Sequence, residues 1–194
     1  MPKVIVSLRG THGSGKSSVV SKILQKYGCT PVNDSAKPKK PLGYHVQLPT
    51  GLLFVVGSYA TACGGCDAIQ PYADIWPRIE EAADAGDHVL FEGALVSSSY
   101  GNIGRSSEKY GDAVKFAFLD TPLDVCLKRI AQRRAAKGNF EPVDPANTKH
   151  KFHSVAKSVE KIKTEFGRRV VIIDHTLAVT QTLKLFGVTL RKEP

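Results

Sequence analysis

No stretch of about 18 apolar residues occurs in the 194-residue chain, which excludes a helical membrane span. The first strand-like pattern starts at Val4 and leaves no room for a signal peptide, so a cytoplasmic protein is expected. Cysteine is sparse. Cys29, Cys63, Cys66 and Cys126 do not make a disulfide scaffold at this length. Cys63-Gly64-Gly65-Cys66 is a C-x-x-C, but no second C-x-x-C or H-x-x-H follows at finger-like spacing. Buried or loop thiols are therefore expected rather than zinc. Acids are nearly missing from the first sixty residues, where Asp34 stands alone against eight Lys/Arg. Residues 61–112 reverse this with nine acids and three basic residues, and 113–194 hold sixteen basic residues and eight acids, giving +9 overall. That balance suits a polyanion, either nucleotide phosphates or a nucleic-acid backbone, and it also serves solubility. No internal repeat is present, and the length fits one domain with a small lid.

What is there is sharpest near the N-terminus. Gly10-Thr11-His12-Gly13-Ser14-Gly15-Lys16-Ser17 matches G-x-x-x-x-G-K-[ST] at every fixed position. The apolar run Val4–Leu8 before it reads as a buried strand, and Val20, Ile23, Leu24 and Tyr27 after it repeat at helical spacing. Strand, glycine loop and helix are the context a phosphate-binding P-loop needs. Glycines let backbone N–H groups from Thr11 to Ser18 close around phosphate oxygens, and the helix N-terminus adds positive partial charge. Lys16 is expected on the β- and γ-phosphates and the Ser17 hydroxyl on Mg²⁺.

The remaining candidates follow along the chain. Cys29–Asp34 reads as a second strand ending in a carboxylate, which makes Asp34 a candidate base for an acceptor hydroxyl, or else a turn aspartate. Tyr44–Leu48 and Leu52–Val56 flank Pro49-Thr50-Gly51 as a hairpin, an insertion over about 43–60 expected to wall the acceptor site. In the loop after it, Tyr59 and Asp67 are candidate substrate contacts, Asp67 alternatively capping the next helix. A helix with an irregularity at Pro77 is expected from Ala68 to Ala85, with Trp76 in packing. His88–Gly93 is a strand ending in Glu92, the place of a carboxylate that holds Mg²⁺ or orients the acceptor. Ser97–Gly111 reads as a substrate loop, with Arg105 a candidate phosphate contact. After the strand Ala113–Asp120, a helix begins at Thr121-Pro122 and carries Arg129 and Arg133 on one face. Arginines beside the broken segment Gly138–Pro145 suit a lid, about 133–150, that neutralises the transferring phosphoryl group. Phe152, Val155, Val159, Ile162 and Phe166 mark a long amphipathic helix, and Val170–Asp174 a last strand. His175 in the following turn is a candidate to flank the adenine, or a surface turn residue.

Strand–loop–helix units repeated along the chain predict an α/β, P-loop NTPase-type three-layer sandwich. It would hold a mostly parallel five-stranded sheet between helices, with the hairpin insertion and a small lid. On Gly10–Ser17, Glu92, Leu119–Pro122 and the Arg129/Arg133 helix, the chain resembles P-loop nucleoside and nucleotide kinases. That resemblance implies ATP, Mg²⁺ and phosphoryl transfer to a hydroxyl. The chain lacks the Asp-Arg pair of thymidylate kinases after the third strand, and the Glu-Arg-Ser element of many deoxynucleoside kinases. The hairpin, Gly64–Asp67 and Phe91-Glu92-Gly93 are similar to bacteriophage P-loop kinases of thymidine hypermodification, which implies 5-hydroxymethyluracil in DNA as acceptor. A free nucleoside or nucleoside monophosphate is the other acceptor class, and a non-metabolic NTPase the third reading. The sequence leaves oligomeric state open.

Overall fold

In a computed structural model of the chain, residues 3–34, 37–60, 64–99 and 107–189 are described, positions 34 and 37–40 by backbone alone. The elements are β1 (Ile5–Arg9), α1 (Lys16–Tyr27), β2 (Thr30–Asp34), β3 (Lys37–Leu48), β4 (Gly51–Val56), α2 (Ile75–Asp84), β5 (His88–Glu92) and α3 (Ala94–Ser98). After them come β6 (Val114–Asp120), α4 (Leu123–Ala135), α5 (Pro145–Phe166), β7 (Val170–Asp174) and α6 (Ala178–Leu185). One seven-stranded sheet runs β2-β3-β4-β5-β1-β6-β7. Its heart is the parallel set β4-β5-β1-β6-β7. Because both faces of these strands are covered, they read as unbroken apolar runs. Val6, Leu8 and Leu90 pack with Val20 and Ile23 of α1 and Leu183 of α6 on one face. Ile5, Val89, Phe91 and Phe116 pack with Ile75 and Ile79 of α2 and Ile162 of α5 on the other.

The expected hairpin forms as β3 and β4 and is built into the sheet. β3 pairs antiparallel with both β2 and β4, and β4 lies parallel beside β5. The expected five-stranded sheet thus counts β4 among its parallel strands, while β2 moves out to the edge. The β3–β4 turn also lies at the end of the sheet away from the phosphate loop, since Gly51 sits against His88 at the start of β5. The turn itself therefore stands away from the glycine loop. The helix expected from Ala68 is broken: single 3₁₀ turns at Cys66–Ala68 and Tyr72–Asp74 precede α2. The irregularity falls before Ile75, while Pro77 sits in the first turn of α2, where a missing N–H leaves no helical hydrogen bond unmade. Trp76 packs edge-on against Phe91, at 6.0 Å between ring centres.

One buried charge ties the layers together. Arg9, last residue of β1, is 0% exposed. It donates to Ser7 Oγ at 3.1 Å, Ser158 Oγ of α5 at 3.1 Å, and the Val96 and Ser99 carbonyls at 2.5 and 2.8 Å. All four are neutral acceptors, so burial dominates and lowers its pKa to about 9. Arg9 thereby fixes α3 and α5 to the strand that leads into the glycine loop.

Candidate active site

The loop Gly10–Gly15 turns out of β1 into α1, and its glycines are required by contact as well as by phosphate. Gly13 has φ +76°, and a Cβ there would lie 2.4 Å from the Cys126 carbonyl oxygen of α4. The loop is clamped from the same side: Ser14 O accepts from Thr121 Oγ1 at 2.9 Å and from Arg129 Nη1 at 2.9 Å. Lys16 Nζ is buried and donates to Gly10 O at 2.8 Å and Thr11 O at 3.0 Å. Burial lowers its pKa, partly offset by Glu92 and Asp67. Thr11 Oγ1 and Ser14 Oγ are buried without a hydrogen-bond partner among the described residues, spare polar atoms in a loop built to face phosphate.

Opposite Lys16, Ser17 Oγ donates to Glu92 Oε1 at 2.9 Å. Glu92 ends β5 at 1% exposure, and burial raises its pKa against the pull of Lys16 and the Ser17 hydrogen bond. A hydroxyl and a carboxylate beside a phosphate cradle are the oxygen donors Mg²⁺ takes when phosphates and water fill its other positions. The donor set fits that ion.

The loop after β4 roofs this pair. Gly65 N donates to Ser58 O at 2.8 Å. Gly65 has φ +74°, and a Cβ there would lie 2.5 Å from Glu92 Oε1. The Tyr59 N–H donates to the Tyr44 hydroxyl at 3.2 Å. The Tyr59 phenol oxygen is buried toward Glu92, and burial with the Glu92 charge pushes its pKa well up. Asp67 caps a helix, though not the next one: it accepts from Ala94 N at 2.8 Å and Leu95 N at 3.3 Å at the start of α3. Of the thiols, Cys66 and Cys126 are buried and Cys29 is exposed.

A cavity of about 490 Å³ gathers His12, Lys16, Ser17, Asp67, Glu92, Arg129 and Arg133. Most of the candidates scattered through the sequence therefore meet in one cleft. Gln132, also lining it, gave no sequence signal because an amide on a helix reads as surface. Burial and then Lys16 lower the His12 pKa and favour its neutral form. A second cavity, about 550 Å³, lies across the loop between Ser14, Ser18, Lys22, Arg129 and the turn His175–Thr180. His175 is held there by its Nδ1, 3.0 Å from Asp120 O. Arg129 borders both cavities. A third, about 640 Å³ and lined mostly by apolar residues, lies under α5 against β6 and β7, and two of its charged residues, Glu160 and Lys163, pair with each other at 3.2 Å.

One candidate falls elsewhere. Asp34 ends β2 at the sheet edge, four strand positions from β1 and roughly 19 Å away at ordinary strand spacing. Its side chain, like all of Arg105 and Cys63, lies outside the described residues. In the order of the sheet the strand beyond β5 is β4, and β2 lies two places further out.

No protein-family model matches the chain. It is 34% identical over 165 residues to the 5-hmdU DNA kinase of Pseudomonas phage PaMx11, covering 81% of this chain and 84% of that one. It is 31% identical to the 5-hmdU DNA kinase of Pseudomonas phage M6, over 80% and 83% of the two chains. A like-named protein of Delftia phage PhiW-14 is 28% identical, over 88% and 70%. Among solved structures, a gluconokinase from Sinorhizobium meliloti 1021 superposes with a TM-score of 0.52 at 18% identity, over 96% of this chain and 92% of that one. At that identity the likeness speaks for the fold, a P-loop kinase sandwich. With a complete glycine loop, a facing Ser17–Glu92 pair and relatives of this similarity along four-fifths of its length, the chain belongs to the phage 5-hmdU DNA kinase family of P-loop kinases.

Proposed function

We propose that this kinase moves the γ-phosphoryl group of ATP to the hydroxymethyl oxygen of 5-hydroxymethyl-2′-deoxyuridine in DNA. The observation that carries the reading is the 34% identity to a 5-hmdU DNA kinase over 81% of the chain. The phosphates lie on Gly10–Ser17 and the adenine in the cavity at His175–Thr180. Ser17 and Glu92 hold Mg²⁺, which neutralises charge on the β- and γ-phosphate oxygens. The acceptor oxygen bonds to the γ-phosphorus, the bond from that phosphorus to the β–γ bridging oxygen breaks, and ADP leaves. Lys16, Arg129 and Arg133 balance the charge spread over the phosphoryl oxygens. Residues 133–150 form the lid over it. Basic residues at Lys37–Lys40 and Lys149–Lys163 hold the DNA backbone.

The acceptor proton goes to a carboxylate, and Asp67 is the one this reading uses. In open α/β sheets the crevice lies outside the carboxyl ends of the strands, and the strand beyond β5 is β4. Asp67 closes the loop after β4 and keeps spare lone pairs beyond the two amides it caps. Asp67→Asn should lower kcat by about 10²-fold with little change in KM for ATP, the scale of a lost general base. Asp34→Asn should stay within a few-fold of the parent. Steady-state kinetics on both variants decides between them, and an equal loss at Asp34 would return the base to β2.

The raised pKa of Glu92 makes a signed prediction. With its folded pKa above the ordinary carboxylate value, the unliganded protein loses stability as pH rises through that interval, because the folded state holds the proton more tightly. Mg²⁺ needs the ionised form. The thermal shift given by Mg²⁺ with a non-hydrolysable ATP analogue should therefore grow from about pH 5 to about pH 7.5. Glu92→Gln should abolish that growth.

The functional test is transfer of labelled γ-phosphate to DNA containing 5-hydroxymethyluracil, against a panel of free nucleosides and monophosphates. Label on DNA supports the proposal. Label on free nucleotides alone would make this a metabolic kinase.

A further inference from the structure

The connector between α4 and α5 presents an aromatic ring to solvent on a built platform. Phe140 is 82% exposed, the most exposed of the large apolar side chains among the described residues. The backbone beneath it is well tied. Arg134 donates to Asn139 Oδ1 at 3.2 Å and to Pro142 O at 3.3 Å, and the Glu141 N–H donates to Asn139 Oδ1 at 3.1 Å. Gly138, at φ +76°, turns the chain out of α4, and Asp144 caps α5 through the Ala146 N–H at 2.9 Å. Residues 128–151 hold seven Lys/Arg against Glu141 and Asp144. Arg133, one turn of helix before the tip, lines the phosphate cavity.

An exposed aromatic ring on a tied connector, in a segment rich in cations that starts at the phosphate cleft, matches a nucleic acid on both counts. Cations meet phosphates, and an aromatic face meets a base. A base within a duplex reaches a closed pocket only by leaving the stack, and proteins that extrude bases insert an apolar wedge at the step so opened. We infer that Phe140 is the wedge, entering the stack where the acceptor nucleotide is extruded while Lys137 contacts a flanking phosphate. The inference rests on the DNA-acceptor reading above and adds to it a duplex substrate and the residue that opens it.

The test compares the parent, Phe140→Ala and Phe140→Trp on one acceptor presented two ways: a 5-hydroxymethyluracil·adenine pair within a duplex, and the same base central in a trinucleotide. For Phe140→Ala the duplex-to-trinucleotide ratio of kcat/KM should fall about ten- to a hundredfold, the worth of one base–aromatic stack, and Phe140→Trp should restore it. A 2-aminopurine beside the target base should brighten when the parent binds the duplex and stay dim with Phe140→Ala. An equal loss on both acceptors would make Phe140 a lid-closing residue and overturn the inference, as would an unchanged ratio. No label on either DNA, with transfer to free nucleosides, would overturn the DNA reading itself. Label confined to the trinucleotide with every protein would keep DNA as acceptor and overturn the wedge.

Discussion

Lys16→Met should lower kcat by about 10³-fold, the upper range for loss of one preorganised donor to a charged transition state, and leave the fold intact. The two effects separate because Lys16 costs the empty protein something. Its ammonium is buried, its pKa is lowered by that burial, and its hydrogen bonds run to the neutral carbonyls of Gly10 and Thr11. Methionine fills the same volume without a charge to desolvate. The melting temperature without nucleotide should stay within a few degrees of the parent or rise, while the upward shift given by Mg²⁺ and an ATP analogue disappears. Calorimetry with and without the analogue, beside the transfer assay, checks both halves. A large drop in melting temperature would make Lys16 a structural residue first.

Gly65→Ala should be nearly as damaging, from a residue with no functional group. Its backbone is left-handed, and an added Cβ would sit 2.5 Å from Glu92 Oε1 and 2.7 Å from the Glu92 carbonyl oxygen. Neither side yields easily. Glu92 is anchored by Ser17 at 2.9 Å, and the loop is anchored by the Gly65–Ser58 hydrogen bond at 2.8 Å. Strain of about 1–3 kcal/mol then falls on the pair proposed to hold Mg²⁺. The expected result is a loss of kcat/KM of about 10²-fold and a higher Mg²⁺ requirement, with far-UV circular dichroism unchanged. Because part of the damage passes through the Glu92 side chain, Gly65→Ala and Glu92→Ala should be non-additive: adding the glycine change to Glu92→Ala should cost less than the glycine change costs alone, the remainder coming from the Glu92 carbonyl and the backbone. Additive losses would show that the loop, not the carboxylate, is what Gly65 protects.

The phosphate loop was legible in the sequence because it is local. Eight consecutive residues carry the whole signal, and the strand before and helix after confirm it through periodicity alone. Glu92, Arg129 and Arg133 were legible for a related reason, since strand ends and helix faces can be read one element at a time. Arg9 was not. A strand arginine looks like an exposed charge until α3 and α5 close over it. Phe140 was equally silent, because an aromatic residue in a polar connector does not say whether it is buried.

The sequence by itself determined the alternation of strands and helices, the phosphate loop and the basic character of the chain. These depend on residue order and composition, which short-range sterics and hydrophobic periodicity convert directly into local structure. Only the tertiary structure decided which of these carboxylates lines the cleft at the glycine loop. Asp34 ends a short strand and Asp67 ends a small, polar loop, and neither segment says along the chain where its acid lies. Strand order is set by long-range pairing, and pairing β3 with both β2 and β4 moves Asp34 to the sheet edge while the loop after β4 brings Asp67 to the cleft.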